Sequence, residues 1–464
     1  MRGAQDPGRP DRLVAVARDA LRWVTDAAVA TGDGLSWPET RAPGEPLTDD
    51  LYAGTAGVLI ALAEARLAGL SEFDDHARAA AGRLRGLART YLDAWRTVAA
   101  REPAGEEYGP DPGLYTGLAG TMTALDIWGQ ASGDLAARQA ARDTAEGLAR
   151  IAAARPVSEW RDLLCGEAGV LLALIAFGGE SAMPGASRIA DRLVAGAEWV
   201  DGLPDWHALP GDRAFLPNFS HGLAGIGYAL AAASGPLGRP ELLELAQLAG
   251  RRLVRLGSRP DGTLAVPHSI PLADPRAPVS FGWCHGPAGT LRLFRILDRE
   301  QPGHGWAGWA GAGRLAVRRS GLPARRYPGF WDNIGQCCGT AGVGEMALDH
   351  YQDSADRQWL TWAATLAGDV LDRRIADESG VRWSHTEHRV SPPELEPAVG
   401  WMQGAAGIAG WLLRLARVES DGTSAARTRW PDQPAPARRG QGSRAGARDL
   451  QDATIPSLTV VDSL

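Results

Sequence analysis

Lysine is absent from this chain. All 48 residues counted as lysine plus arginine are arginine, and against 55 acidic residues they leave a formal net charge of −7. The missing lysine reads as codon bias of a GC-rich coding sequence, with no chemical meaning of its own. An acidic balance without a basic cluster argues against nucleic acid as the main partner. No apolar run approaches the uninterrupted length of a membrane span. The opening residues MRGAQDPGRPDR lack the apolar centre of a secretion signal, so a cytoplasmic protein is the expectation. Cysteine is scarce, with four in 464 residues, at 165, 284, 337 and 338. A disulfide-stapled secreted scaffold would be short and cysteine-dense, and adjacent cysteines suit a disulfide poorly. Few, oddly placed cysteines in a reducing compartment invite a metal or catalytic reading.

What the chain does have is glycine in register. Gly-x-x-Gly followed by an apolar helical run occurs at Gly54-Gly57, Gly117-Gly120, Gly166-Gly169, Gly222-Gly225, Gly286-Gly289, Gly339-Gly342 and Gly404-Gly407. Successive first glycines lie 63, 49, 56, 64, 53 and 65 residues apart, enough for two helices and their connections. Residues three apart share a helix face, so paired glycines let a second backbone approach closely. The runs that follow, such as Val170 to Phe177, are apolar all round and suit interior helices. Amphipathic segments such as Asp75 to Leu92 lie between them and suit an outer layer. The fold class this implies is all-α, a closed α/α toroid of seven inner and seven outer helices. The plainer alternative is an open solenoid in which the glycines serve packing alone.

The residues ahead of each motif separate the two. Immediately before the first glycine stand Ala53, Thr116, Cys165, His221, His285, Cys338 and Gln403; one place earlier stand Tyr52, Tyr115, Leu164, Ser220, Cys284, Cys337 and Met402. All four cysteines and two of the nine histidines fall in these two columns. In a toroid these positions face one mouth of the central cavity. Cys284 opens one unit and Cys337-Cys338 the next, so neighbouring inner helices can bring three thiolates together. Zinc takes sulfur and imidazole in tetrahedral sites, and a catalytic site keeps one position open. A buried cysteine is otherwise often just a small apolar residue. The column alignment favours the metal.

Ser220-His221-Gly222, Trp283-Cys284-His285-Gly286-Pro287-Ala288-Gly289 and Cys337-Cys338-Gly339-Thr340-Ala341-Gly342 resemble the lanthionine synthetase C-like family. The resemblance covers nearly all of residues 45 to 415. It implies a lanthipeptide cyclase, in which a zinc-activated peptide cysteine adds to dehydroalanine or dehydrobutyrine to form a (methyl)lanthionine thioether. It also implies Cys284, Cys337 and Cys338 as zinc ligands, His221 as the active-site histidine and Asp162 as the active-site carboxylate. Two features depart from the family pattern. Many members carry Cys-His-Gly where this chain has Cys337-Cys338-Gly339. Some hold an arginine at the position of Ser280. Three thiolates on Zn²⁺ sum to −1, which leaves an incoming sulfur more nucleophilic and the metal a poorer Lewis acid.

For this chemistry an imidazole titrates in the useful range, so His221 suits a proton donor or an enolate stabiliser. Asp162 would orient it. His285, beside Cys284, is a further catalytic candidate that would contact substrate or enolate. Each has a plainer reading. His221 can cap the following helix, Asp162 can pair with Arg161, and His285 can be packing. Cys165 reads as a packed thiol, because a fourth ligand would close the site. Trp331-Asp332 and Trp401-Met402 read as lining or support, and His268, His385 and His388 receive no role.

Residues 1–44 read as an N-terminal segment with a short helix over Leu13 to Ala30, and 45–417 as the toroid. Residues 257–280 read as an irregular loop or short strands placed to cover the site. From 418 the composition predicts a disordered tail to 464, with a mildly apolar end over Thr454 to Leu464. No dehydratase-like region is present, so the expected partners are a dehydrated precursor peptide and a separate dehydratase. Two other functions remain open: thiol addition to a different acceptor of the glutathione type, and a peptide-binding toroid whose zinc is structural.

Overall fold

Each glycine motif opens a helix, and each of those helices begins one residue after the motif's first glycine. In the computed structural model, which describes residues 8–100, 109–177, 179–273, 279–388 and 390–433, these are α2 (Thr55–Leu67), α4 (Leu118–Ser132), α6 (Glu167–Phe177), α8 (Leu223–Leu237), α10 (Pro287–Glu300), α12 (Thr340–Ser354) and α14 (Ala405–Asp421). Between them run α3 (Asp74–Ala100), α5 (Leu135–Ala154), α7 (Gly179–Ala195), α9 (Pro240–Gly257), α11 (Trp306–Arg319) and α13 (Arg357–Asp372), with α1 (Arg9–Thr25) at the start. The first set packs in the cyclic order α2, α4, α6, α8, α10, α12, α14 and back to α2. α3, α5, α7, α9, α11 and α13 each back the inner helix that precedes them. The structure is an α/α toroid, closed and not an open solenoid.

The seventh outer helix comes from the other end of the chain. Among the described residues no α-helix follows α14, and α1 packs along it. α1, within the N-terminal segment expected at residues 1–44, thus takes the place of a seventh outer helix. Its buried face of Leu13, Ala17, Leu21 and Val24 is what an outer helix needs. The expected tail also begins later than position 417. α14 continues to Asp421, and residues 425–433 fold back with Trp430 and Asp432 buried. Residues 434–464, with Thr454 to Leu464, lie outside the described residues. The stretch 257–280 is irregular, with isolated bridges Ser258–Leu264 and Phe215–Ile270, and its residues 274–278 are likewise outside.

The inner ring is tied by a closed circuit of backbone hydrogen bonds. The residue two before each first glycine donates its N–H to the carbonyl of its counterpart in the next unit. Tyr52 donates to Tyr115 (2.9 Å), Tyr115 to Leu164 (2.9 Å), Leu164 to Ser220 (3.2 Å) and Ser220 to Cys284 (3.1 Å). Cys284 donates to Cys337 (3.2 Å), Cys337 to Met402 (2.9 Å), and Met402 returns to Tyr52 (2.9 Å). One of the two sequence columns is thus a seven-membered girdle. The groups are buried and each finds its partner, as buried backbone requires.

The second glycine of each motif packs against the carbonyl of the residue just before the girdle residue of its own unit. A Cβ at Gly57 would lie 2.3 Å from the Leu51 carbonyl oxygen and 2.6 Å from the Trp401 Cβ, across the seam where the last unit meets the first. Gly289 is similar, 1.9 Å from the Trp283 carbonyl and 2.7 Å from the Phe219 Cβ.

The inner helices are not all uniformly apolar. α10 carries Arg292, α12 carries Glu345 and Asp349, and α14 carries Arg414 and Arg417, all buried. They are paired: Arg414 with Glu345 and Asp349, Arg417 with Glu64 of α2, and Arg292 with Asp432. Among the described residues, no helix is long and apolar enough to cross a membrane.

Gly57→Ala forces backbone apart at the seam and should cost at least about 1–3 kcal/mol. Gly368→Ala is the control, in α13 with nothing within 4 Å of the new methyl. It should stabilise by up to ~1 kcal/mol. Chemical denaturation of both checks the pair, and equal effects would refute the seam argument.

Candidate metal centre

Cys284 and Cys337 are consecutive members of the girdle, so backbone joins them before any side chain does. Trp283 N–H reinforces the link by donating to the same Cys337 carbonyl at 3.0 Å. Cys338 follows, and the three sulfurs converge. Cys284 Sγ lies 3.2 Å from Cys338 Sγ, Cys338 Sγ lies 3.5 Å from Cys337 Sγ, and all three are within 4.8 Å of one another. Sulfurs on a tetrahedral zinc at ~2.3 Å stand roughly 3.8 Å apart, so the cluster is of the right size. Cys284 and Cys337 are buried and Cys338 is half-buried. Hydrogen bonding to Cys337 and Cys338, and then burial, holds the Cys284 thiol well above the ordinary thiol range. Hydrogen bonds from Cys284 and Cys337 hold Cys338 well below it. Three sulfurs this close could all be thiolates only with a countercharge, which a soft divalent cation such as zinc would supply. Among the described residues, no fourth histidine, cysteine or carboxylate joins the group. The donor set therefore fits a zinc ion with one position left open.

Beside the sulfurs stands a histidine–carboxylate pair. His221 Nδ1 is 2.7 Å from Asp162 Oδ2. Asp162 is fully buried, and its other oxygen accepts the N–H groups of Cys165 (2.8 Å) and Gly166 (2.9 Å) at the start of α6. That fixes the carboxylate, which in turn turns the imidazole so that Nε2 is the free nitrogen. The competing partner Arg161 donates instead to the His207 carbonyl (3.5 Å). Nor does His221 cap α8: Gly222 is the cap residue and no side chain caps it. The His285 ring lies 5.8 Å from that of His221 and 5.2 Å from that of His268. His268 reaches the site from the irregular stretch 257–280, held there by Asn218 Nδ2 donating to its carbonyl (3.2 Å). The stretch thus brings His268, to which the sequence reading gave no role, beside His285.

Two column residues also emerge at the sulfurs. Gln403 Nε2 lies 3.5 Å from Cys338 Sγ and donates to the Tyr52 hydroxyl at 3.1 Å. Their membership of the columns was the available signal. Trp331 and Trp401 are buried supports, with Trp331 Nε1 donating to Thr340 Oγ1 at 2.9 Å. Asp332 holds His388 at 2.5 Å and Arg325 at 3.2 Å.

Cys165 stays out of the sulfur group. Burial, and then the charges of Asp162 and Asp111, push its thiol up to about 12. A thiol with a raised value carries no thiolate until the pH approaches that value. Cys165 should therefore resist iodoacetamide in the folded protein at pH 7.5 and react only on unfolding. Peptide mass spectrometry after timed alkylation checks this, and labelling at the rate of a free thiol would refute it.

Among curated proteins, none matches the chain by sequence. Among solved structures, nisin cyclase matches with a TM-score of 0.56 at 14% identity, over 87% of this chain and 92% of that one. A GH76 α-mannanase from Bacteroides thetaiotaomicron matches with a TM-score of 0.47 at 11% identity, over 90% of this chain and 100% of that one. The lanthionine synthetase C-like family model matches residues 45–302, more than half of the 464. The chain belongs to the lanthionine synthetase C-like family.

Proposed function

We propose that this protein is a zinc-dependent cyclase. It would join cysteine thiols of a ribosomal peptide to dehydroalanine or dehydrobutyrine residues that a separate dehydratase has made. The observation that carries the reading is a three-sulfur cluster with no fourth donor among the described residues, placed beside a buried carboxylate–histidine pair. Closed structural zinc sites usually have four protein ligands. Three donors therefore favour a reactive site over a purely structural one.

A free thiol, with an ordinary pKa near ~8.5, is mostly protonated at neutral pH, and zinc held by Cys284, Cys337 and Cys338 would deprotonate an incoming cysteine. The peptide sulfur then forms a bond to the β-carbon of the dehydro residue. The π electrons move onto the acceptor carbonyl as an enolate, and a proton must reach the α-carbon. His221, with Nδ1 committed to Asp162, offers Nε2 for that proton or for a hydrogen bond to the enolate oxygen. Asp162 fixes the direction of the imidazole. His285, flanked by His221 and His268, offers a second contact to the acceptor. Gln403 and Tyr52 border the sulfur that is most open, Cys338.

The deciding experiment incubates the protein with a dehydrated, cysteine-containing precursor peptide. Free thiol should disappear without a change in peptide mass, and Cys284→Ala should abolish both this and zinc retention. Ring formation by Cys284→Ala at the native rate would end the metal mechanism. Consumption of glutathione, with the peptide thiols left free, would favour the other acceptor. His221→Ala should lower turnover by about 10²–10⁴-fold, with zinc content unchanged by atomic absorption. Asp162→Asn should act in the same direction. A loss of zinc in either variant would instead assign the pair to holding the site together.

A further inference from the structure

Beyond Asp421 the chain turns back into the ring. Arg417 Nε donates to the Ala426 carbonyl (3.1 Å), and the Thr428 N–H donates to Glu64 Oε1 on α2 (3.1 Å). Arg427 pairs with Asp349 on α12 (3.0 Å), and Gln433 Nε2 donates to the other oxygen of the same carboxylate (3.2 Å). The charges that make α2, α12 and α14 unlike ordinary core helices are thus the anchors of this segment.

What the segment delivers is Asp432, fully buried. Its carboxylate accepts from the Tyr115 hydroxyl (2.8 Å) and from the Trp283 indole N–H (3.0 Å), and it pairs with Arg292. Trp430 lies nearly parallel to Trp283, with ring centroids 6.0 Å apart and planes 27° apart. The Arg292 guanidinium carbon stands 4.8 Å from the Trp430 centroid. Trp283 is the residue before Cys284, and its own N–H donates to the carbonyl of Cys337. A carboxylate on Trp283 and Tyr115 therefore grips the girdle at two places, one of them the limb that joins two of the three sulfurs. A buried carboxylate is costly to desolvate, and its position is defined only because donors surround it.

We propose that Asp432 is a positioning residue of the metal centre. Brought in by the C-terminal segment, it clamps the Trp283 indole so that Cys284 and Cys337 hold their spacing. This rests on the zinc reading given above. Groups that hold a metal ligand in place without touching the ion typically affect affinity by about 10–100-fold when removed. Simple core pairing between Asp432 and Arg292 would affect folding alone.

The test titrates full-length metal-free protein with cobalt(II), reading the thiolate-to-cobalt charge-transfer and d–d bands, then competes with zinc. Asp432→Ala should bind cobalt on the order of 10–100-fold more weakly, with a shifted d–d envelope and an unchanged helical circular dichroism spectrum. Asp432→Ala combined with Arg292→Met removes the stranded charge. It should regain thermal stability without regaining cobalt affinity. Trp283→Phe deletes the indole donor while leaving the Asp432–Arg292 pair, and it should weaken cobalt in the same direction should Asp432→Ala not fold. Wild-type affinity and bands in Trp283→Phe and Asp432→Ala would overturn the proposal, as would a double variant that recovers affinity together with stability. Wild-type protein without thiolate-to-cobalt bands would defeat the zinc reading itself, an outcome separate from failure of Asp432 alone.

Discussion

The structure depends on seven backbone hydrogen bonds passed from unit to unit until the last returns to the first. A helix pair alone leaves one face uncovered, and stacking pairs in a line only moves the uncovered face to the ends. Here Met402 donates to Tyr52 and α1 lies along α14, so no end remains. The glycines follow from that closure: the carbonyls of the residues just before the girdle, and Cβ atoms of the neighbouring unit at positions such as Gly57 and Gly289, occupy the volume a side chain would need. The site follows as well, because two of the three sulfurs belong to girdle residues.

Much of this was legible in the sequence because it repeats. Seven glycine pairs in phase revealed the inner helices, and each helix starts where its motif indicates. The convergence of Cys284, Cys337 and Cys338 was legible too, since columns in a ring face one mouth. Features that occur once were hidden. α1 reads only as a short helix near the start of the chain, because its partner α14 lies near the other end. Residues 425–433 read as tail because their composition is polar, yet their charges meet Glu64 and Asp349 inside the ring. His268 comes from an irregular loop whose path no periodicity encodes. Asp162 and His221 stood as an open choice between pairings, and only the burial of the carboxylate and its two backbone donors single out the imidazole.

Cys338 gives the centre its chemical character. On the proposed zinc reading, a third thiolate at Cys338 would give the ligand set one more negative charge than an imidazole there would. Gln403 reaches its sulfur and also donates to Tyr52, and, beside the hydrogen bonds from Cys284 and Cys337, the charge of the His285 imidazole helps to hold the thiol low. Such a set tilts the site towards a nucleophilic sulfur and away from polarising a carbonyl. In the proposed reaction, the burden of stabilising the enolate would then fall on the histidines.

The direction of the girdle has an evolutionary consequence. All seven N–H groups point the same way round, and each carbonyl already has its donor. Linear repeat proteins lengthen or shorten by duplicating or losing a unit, because each unit touches only its neighbours. A unit added here would open the circuit and alter the angle between every adjacent pair. Innovation in such a chain is confined to the loops that rise from the rim and to the segments that fold into the hole.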